Sequence, residues 1–341
     1  MPGLRLTLAL AVAALGATAA ATQLHLHARL PDAARVGEPA LPELAGRADD
    51  VTRLTVTTAG DRFTFARDDR GWSWVERADY PVPADRVESV LAGLAALRLA
   101  APLTIRPDRY DRLGLSGIVT PDSRSIRLDA EAGDGTPLGR ILLGDRRRGG
   151  LEGLYVRQAF AARSWLADGD IEVPADPIAW LDRRLVDIEP GRVGTIAVED
   201  AGGAAVRLVR PAPDAPFAVA ATGGRVIPDD VADSLAGLLA MLDLTDIGVV
   251  DDDGTGEPRL SFAVTTFDGV TVEARFLPAD AETLPWVRLS AAAADGAAAD
   301  GGQAAVLARR FGRWVYRLSP ERLDRFARAL TDLQAAVTPS P

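Results

Sequence analysis

The chain has 341 residues, a net charge of −10 and a pI near 4.9, with 48% hydrophobic and 25% charged residues. That is enough for two domains with cores of their own and too acidic for a nucleic-acid partner, since phosphate binding needs a basic surface. It has no cysteine, and all 38 of its Lys-plus-Arg positions are arginine, which excludes disulfides, thiolate nucleophiles, cysteine-ligated metals, lipid-modified cysteines and catalytic or phosphate-cradling lysines.

Arg5 is followed by an uncharged run that ends at Arg29. Residues 1–28 therefore read as a signal segment or a membrane anchor. Leu6–Leu15, followed by Ala17-Thr18-Ala19 or Ala19-Ala20-Ala21, fits an export signal with a small-residue cleavage site. Leu6–Leu26 is long enough to stay uncleaved as a membrane helix, although Gln23, His25 and His27 make its far end marginal. These two histidines are the only ones in the chain, so the globular part has no imidazole for a Ser-His-Asp triad or a His-rich zinc site. Residues 29–50, punctuated by Pro31, Pro39 and Pro42, read as an extended tether, with folded structure beginning near Val51.

From there the pattern repeats. Arg53–Thr58 and Arg62–Ala66 alternate like paired strands around Ala59-Gly60-Asp61, and Trp72–Val75 continues the meander. Val87, Val90, Leu91, Leu94 and Leu97 then recur at helical spacing, behind Asp85 and Glu88 in the arrangement of a capping box. Ser125–Asp129, Gly139–Leu143 and Leu154–Arg157 follow as strands, and Pro177–Arg184 closes the half as a short helix. The second half runs through Thr195–Glu199, Ala205–Val209, a helix at Val231–Met241, strands at Leu260–Thr265, Val270–Phe276 and Trp286–Leu289, and a final helix from Pro320 to Leu333 capped by Ser319. Val87–Leu97 and Val231–Met241 share Leu-Ala-Gly-Leu at the same offset, and Gly93 and Gly237 suggest a close backbone approach at one place in each half. The fold class is α+β: two similar halves, 51–190 and 191–337, each an antiparallel meander with a helix packed on one face. Residues 291–305, rich in Ala, Asp and Gly, read as a loop.

The order of several short motifs carries a resemblance. Trp72-x-Trp74, Tyr80-Pro81 before a helix, Tyr110-x-x-Leu113-Gly114-Leu115, Leu143-Gly144-Asp145, Leu154-Tyr155-Val156-Arg157 and Trp180–Ile188 together resemble the domain-of-unknown-function 4340 family, over roughly residues 51–335. The resemblance implies a bacterial envelope protein with one N-terminal membrane segment, often accompanying an ABC-type transport system of the gliding-motility kind. No catalytic residues are established for that family, so none is carried over, and no cofactor is expected. The resemblance favours a retained inner-membrane anchor with the globular part in the periplasm, the alternative being release to the periplasm after signal cleavage.

Candidate chemistry is sparse. Arg146-Arg147-Arg148 before Gly149-Gly150 reads as a solvated hairpin tip or, through its guanidinium forks, as a contact for a phosphate, carboxylate or partner. Asp251–Glu257 is metal-like in composition but departs from a calcium loop in spacing, so it reads as a turn. Six tryptophans could form a sugar platform, though their positions suit core packing; Tyr110–Leu115 reads as a turn with Gly114 at positive φ. No spacing selects a carboxylate pair for hydrolysis. The expectation is a non-enzymatic accessory or scaffold protein beside an ABC transporter permease or related envelope proteins, with an envelope-glycan binding module as the alternative.

Overall fold

A computed structural model describes residues 32–119, 122–220, 225–249, 258–279, 283–294 and 302–338. The N-terminal apolar segment and the Asp251–Glu257 cluster lie outside these residues. The chain divides into two units. Both are built mainly from antiparallel sheet with a few helices, an α+β architecture.

The first unit takes the described residues up to Ser73 together with Pro83–Ala175. In chain order the first elements are β1 (Val51–Thr57), β2 (Arg62–Asp68), β3 (Gly71–Trp74), β4 (Tyr80–Val82), α1 (Ala84–Ala96), β5 (Arg98–Pro102), β6 (Ile126–Ala132), β7 (Pro137–Arg147), β8 (Gly153–Gln158) and β9 (Ser164–Asp168). Within a nine-stranded sheet, this unit contributes the order β3-β2-β1-β6-β7-β8-β9-β5. Directly paired residues share a face. The pairs Leu54↔Phe65, Val56↔Phe63, Leu128↔Ile141 and Leu143↔Val156 include Leu54, Val56, Phe63, Phe65, Leu128, Ile141, Leu143 and Val156, all buried. Alternation sends Arg53, Thr55, Arg127, Asp129, Arg140 and Arg157 to the opposite face. Helix α1 buries Val87, Val90, Leu91 and Leu94 along one stripe, the 3.6-residue period expected of an amphipathic helix.

The second unit comprises Trp74–Val82 and the residues from Asp176 onward. Its later elements are β10 (Arg184–Val186), β11 (Val193–Asp200), β12 (Ala205–Val209), β13 (Ala218–Val219), α2 (Asp229–Ala236), β14 (Leu242–Asp243), β15 (Asp246–Val249), β16 (Leu260–Thr266), β17 (Val270–Phe276), β18 (Val287–Ala293), α3 (Gln303–Phe311), β19 (Trp314–Arg317) and α4 (Pro320–Val337). An eight-stranded sheet runs β13-β12-β11-β16-β17-β18-β19-β15, and β10 pairs with β14 separately. The segment 74–82 is tied in by Arg77 to Asp246 at 3.3 Å, by the Trp314 indole N–H donating to the Arg77 carbonyl at 2.9 Å, and by Tyr80 lying edge-on to Trp314 and Tyr316. Burial raises the Tyr80 and Tyr316 hydroxyls above the usual phenol range.

Residues 32–50 are no extended tether: Pro39 bridges Arg98, the Ala40 N–H donates to the Leu97 carbonyl, and Ala40, Leu41 and Leu44 are buried. Three apolar side chains in that stretch outweigh the prolines. The expected capping box does not form, because Pro83 occupies the N-cap with no side-chain bond and Asp85 falls inside the first turn. Gly93 does meet a close neighbour, a Cβ there lying 3.1 Å from Ile171, whereas Gly237 has only Pro190 at 3.9 Å and instead begins a 3-10 turn. Pro177–Arg184 is a single 3-10 turn ending at Trp180, after which the chain enters β10. Of residues 291–305, Ala291–Ala293 belong to β18 and Gln303–Ala305 open α3; residues 295–301 lie outside the described residues.

Ser319 does cap α4, its hydroxyl accepting from the Arg322 N–H at 3.3 Å. Ser319→Ala should cost about 1 kcal/mol, read as a lower urea midpoint with an unchanged m-value.

Candidate functional site

Three of the short motifs meet in the first unit. The Tyr110–Leu115 turn ends at Gly114, whose φ of 65° closes a 3-10 turn in the left-handed region. It packs on β7 at Leu143-Gly144-Asp145. A Cβ on Gly144 would stand 2.2 Å from the Leu113 carbonyl oxygen, and one on Gly114 would stand 2.7 Å from the Asp145 carboxylate. Asp145 in turn accepts from Arg124 at 2.9 Å. This bonding holds the Arg124 guanidinium above its ordinary value. Tyr110, Leu115 and Leu142 form a buried cluster with Leu113 and Tyr155 against it, and Arg157 of β8 stacks on the Tyr110 ring at 4.6 Å. These motifs are first of all a packing lock.

The lock forms one wall of a cleft on the polar face of the sheet. A cavity of about 230 Å³ is lined by Arg127, Arg140, Arg157, Leu142, Val119 and Phe160, with Gly117, Ile118 and Ala159. A neighbouring hollow of about 160 Å³ shares Arg140 and Phe160 and adds Asp129 and Glu131. Register explains the gathering. Arg127 pairs with Leu142, Leu142 with Arg157, and Asp129 with Arg140, so side chains far apart in sequence stand in rows on one face. Asp129, only 6% exposed, accepts from the Arg127 Nε–H at 2.9 Å through one oxygen and from the Arg140 Nε–H through the other. A buried carboxylate needs such partners.

Phe160 is the unusual member. It is 93% exposed, with Val119 across the cleft 92% exposed, and its φ is 63°, a conformation costly for a residue with a Cβ. The turn around it is over-determined. The Ala159 N–H donates to the Arg140 carbonyl at 3.0 Å, Arg157 donates to the Ala161 carbonyl at 3.3 Å, and the Tyr110 hydroxyl donates to the Ala162 carbonyl. The Arg140 guanidinium lies under the ring at 5.6 Å. The fold thus holds a strained aromatic residue in solvent beside three guanidiniums, a combination found at ligand clamps.

The residues singled out from sequence lie elsewhere. Arg146 stands one residue before the end of β7, donating to Asp170 at 2.8 Å and to the Ile171 carbonyl. Arg147 and Arg148 are exposed at the hairpin tip before Gly149 and Gly150. Trp72, Trp74, Trp165, Trp180 and Trp314 are buried, and Trp286 lies beneath the Arg317 guanidinium at 4.5 Å, so they offer no shared stacking platform. Among the described residues no group of three or more metal-ligating side chains stands together, and no helix is long and apolar enough to cross a membrane. Local sequence does not mark Arg127 or Arg140 as site residues. Phe160, an aromatic residue inside a turn of small residues, is the one local signal that pointed to the cleft.

Residues 72–240 match the family model described as a domain of unknown function (DUF4340). The match runs from β3 to the turn after α2, so it crosses from the first unit into the second. No curated protein and no solved structure matches the chain.

Proposed function

Because residues 72–240 belong to the DUF4340 family, we propose that this protein is a non-enzymatic binding and scaffolding component of the cell envelope. In this reading the N-terminal segment holds it at the inner membrane, the globular part works in the periplasm, and its partner is an ABC-type transport complex. The observation that carries the binding role is the cleft at Phe160. Its cations are arginines, which keep their charge and are poor proton carriers. Both oxygens of its buried acid already accept from guanidiniums. Such a site is suited to holding a ligand rather than to general acid–base turnover.

We also read the two units as copies of one unit, each a sheet with a helix on one face. The two strand orders correspond position by position. Thr52 and Gly194 are skipped at the same step of the pairing, between Val51 and Arg53 and between Val193 and Thr195. Asp134-Gly135 and Asp268-Gly269 turn the corresponding hairpins, with glycine φ values of 81° and 82°. An arginine just past the second strand's last pair reaches back to the turn before the first strand in both: Arg67 to the Asp49 carbonyl, and Arg210 to the Pro190 carbonyl at 2.5 Å. Each stacks on an aromatic ring of the next segment, Trp72 at 5.4 Å and Phe217 at 4.6 Å. A pair of like α+β units suits a scaffold.

A photoreactive phenylalanine analogue at position 160, incorporated in cells and irradiated, tests the role. Adducts with a transport permease or ATPase subunit are expected in the membrane fraction. Irradiated cells that give no transport-subunit adduct would remove the partner assignment.

A further inference from the structure

We propose that the cleft at Phe160 receives the C-terminal carboxylate of a partner polypeptide whose last residue is bulky and apolar. The inference rests on the binding role proposed above and names what is bound. Three features of the cleft select this chemistry.

The first is charge. The lining of the two adjoining hollows carries Arg127, Arg140 and Arg157 against Asp129 and Glu131, one positive charge in surplus on a chain of net charge −10. A singly charged carboxylate matches that surplus, and a guanidinium fork matches its planar pair of oxygens. A doubly charged phosphate would overrun it and meet Asp129 and Glu131 as repulsion.

The second is the wall. Val119, Leu142 and Phe160 supply an apolar side next to the guanidiniums, so the occupant carries its acid and an apolar group within one residue's length. A chain terminus ending in leucine or phenylalanine does this.

The third is size and strain. A cavity of about 230 Å³ is smaller than the roughly 300–1,000 Å³ of ordinary small-molecule pockets, so it takes the end of a ligand whose remainder stays outside. Phe160 is held in a left-handed backbone conformation with its ring in solvent. Closing over an apolar terminal side chain gives that ring the cover that the folded unit does not provide.

The test uses the full chain in mild detergent and the fluorescence anisotropy of a short labelled peptide ending in leucine. Saturable binding is expected for the free acid. Amidating the terminus should weaken it about tenfold or more, the loss of one charge-assisted contact. Phe160→Asn keeps a residue that tolerates positive φ and removes the ring; it should weaken binding about tenfold while leaving the circular dichroism spectrum and Tm unchanged or slightly raised. Arg127→Gln leaves Asp129 with Arg140 and should act in the same direction. Equal binding of acid and amide, or no effect of Phe160→Asn, overturns the assignment. Decanoate displacing the peptide as well as an unlabelled leucine-terminated peptide does would mean an aliphatic acid is the ligand, and the polypeptide assignment falls. If no peptide binds while the cross-linker at position 160 still captures a transport subunit, the carboxylate assignment fails and the scaffold reading stands.

Discussion

Gly144→Ala should destabilise the first unit by about 3 kcal/mol, the upper part of the range for forced overpacking. The added methyl would stand 2.2 Å from the Leu113 carbonyl oxygen, inside any real contact distance, and neither side can yield cheaply. Gly144 is in β7 directly after Leu143, which pairs with Ile126 of β6 and Val156 of β8. Leu113 is in the turn held by the Leu115 N–H donating to the Tyr110 carbonyl at 2.9 Å and by the buried Tyr110–Leu115–Leu142 cluster. The loss should appear as a fall in Tm of roughly 6–12 °C for a unit of this size. Gly60→Ala, in the open turn between β1 and β2 with nothing within 4 Å of the new Cβ, should stay within about 0.5 kcal/mol of wild type. Equal Tm values for the two variants would mean that the Tyr110 turn is not locked on β7. Because Arg157 stacks on Tyr110, Gly144→Ala should also loosen the Phe160 cleft, which Gly60→Ala leaves alone.

Phe326→Ala should cost the second unit about 4 kcal/mol, in the range for deleting a buried aromatic side chain. Phe326 lies on α4 and is buried with Ala329 and Leu333, one stripe of an amphipathic helix. Its ring stands edge-on to Phe262 of β16 at 5.5 Å and to Phe276 of β17 at 5.0 Å. Truncation leaves a cavity between helix and sheet that the adjacent strands cannot close without breaking their pairing. Phe326→Leu keeps most of the volume and should cost less than about 1.5 kcal/mol. Urea midpoints of the two variants and wild type give the ranking. Limited proteolysis should show α4 cut first in the alanine variant, since its docking is what the ring supplies. Wild-type resistance in Phe326→Ala would mean that Leu333 and Ala329 hold the helix without it.

Much of the sheet was legible in the sequence because alternation is a local property. The Arg53–Thr58 and Arg62–Ala66 runs, the three strands from Ser125 to Arg157 and the later pair at Leu260–Phe276 all show it, and all are strands. The helical stripe of Val87, Val90, Leu91 and Leu94 and the Ser319 cap were legible for the same reason. Short edge strands such as β4, β5, β10 and β14 were not. Two to five residues carry too little period to distinguish a strand from a turn, and only their partners give them strand geometry. Residues 32–50 misled for a related reason: the prolines set local stiffness, while the burial of Ala40, Leu41 and Leu44 depends on β5 being there to receive them.

By itself, the sequence determined what chemistry the globular part lacks, the α+β alternation, and the recurrence of Leu-Ala-Gly-Leu in two helices. These follow from residue types and short-range spacing, and no fold could change them. The cleft was decided by the tertiary structure alone. Arg127, Arg140 and Arg157 lie on three strands and look like ordinary solvated positions until cross-strand register sets them in adjoining rows beside Leu142. Register is a long-range property, fixed by which strand pairs with which and by the one-residue slips along the ladder. The same holds for Phe160, whose turn is held by its neighbour Arg157 and by Arg140 and Tyr110, the last two remote in the chain and brought to it only when the sheet forms.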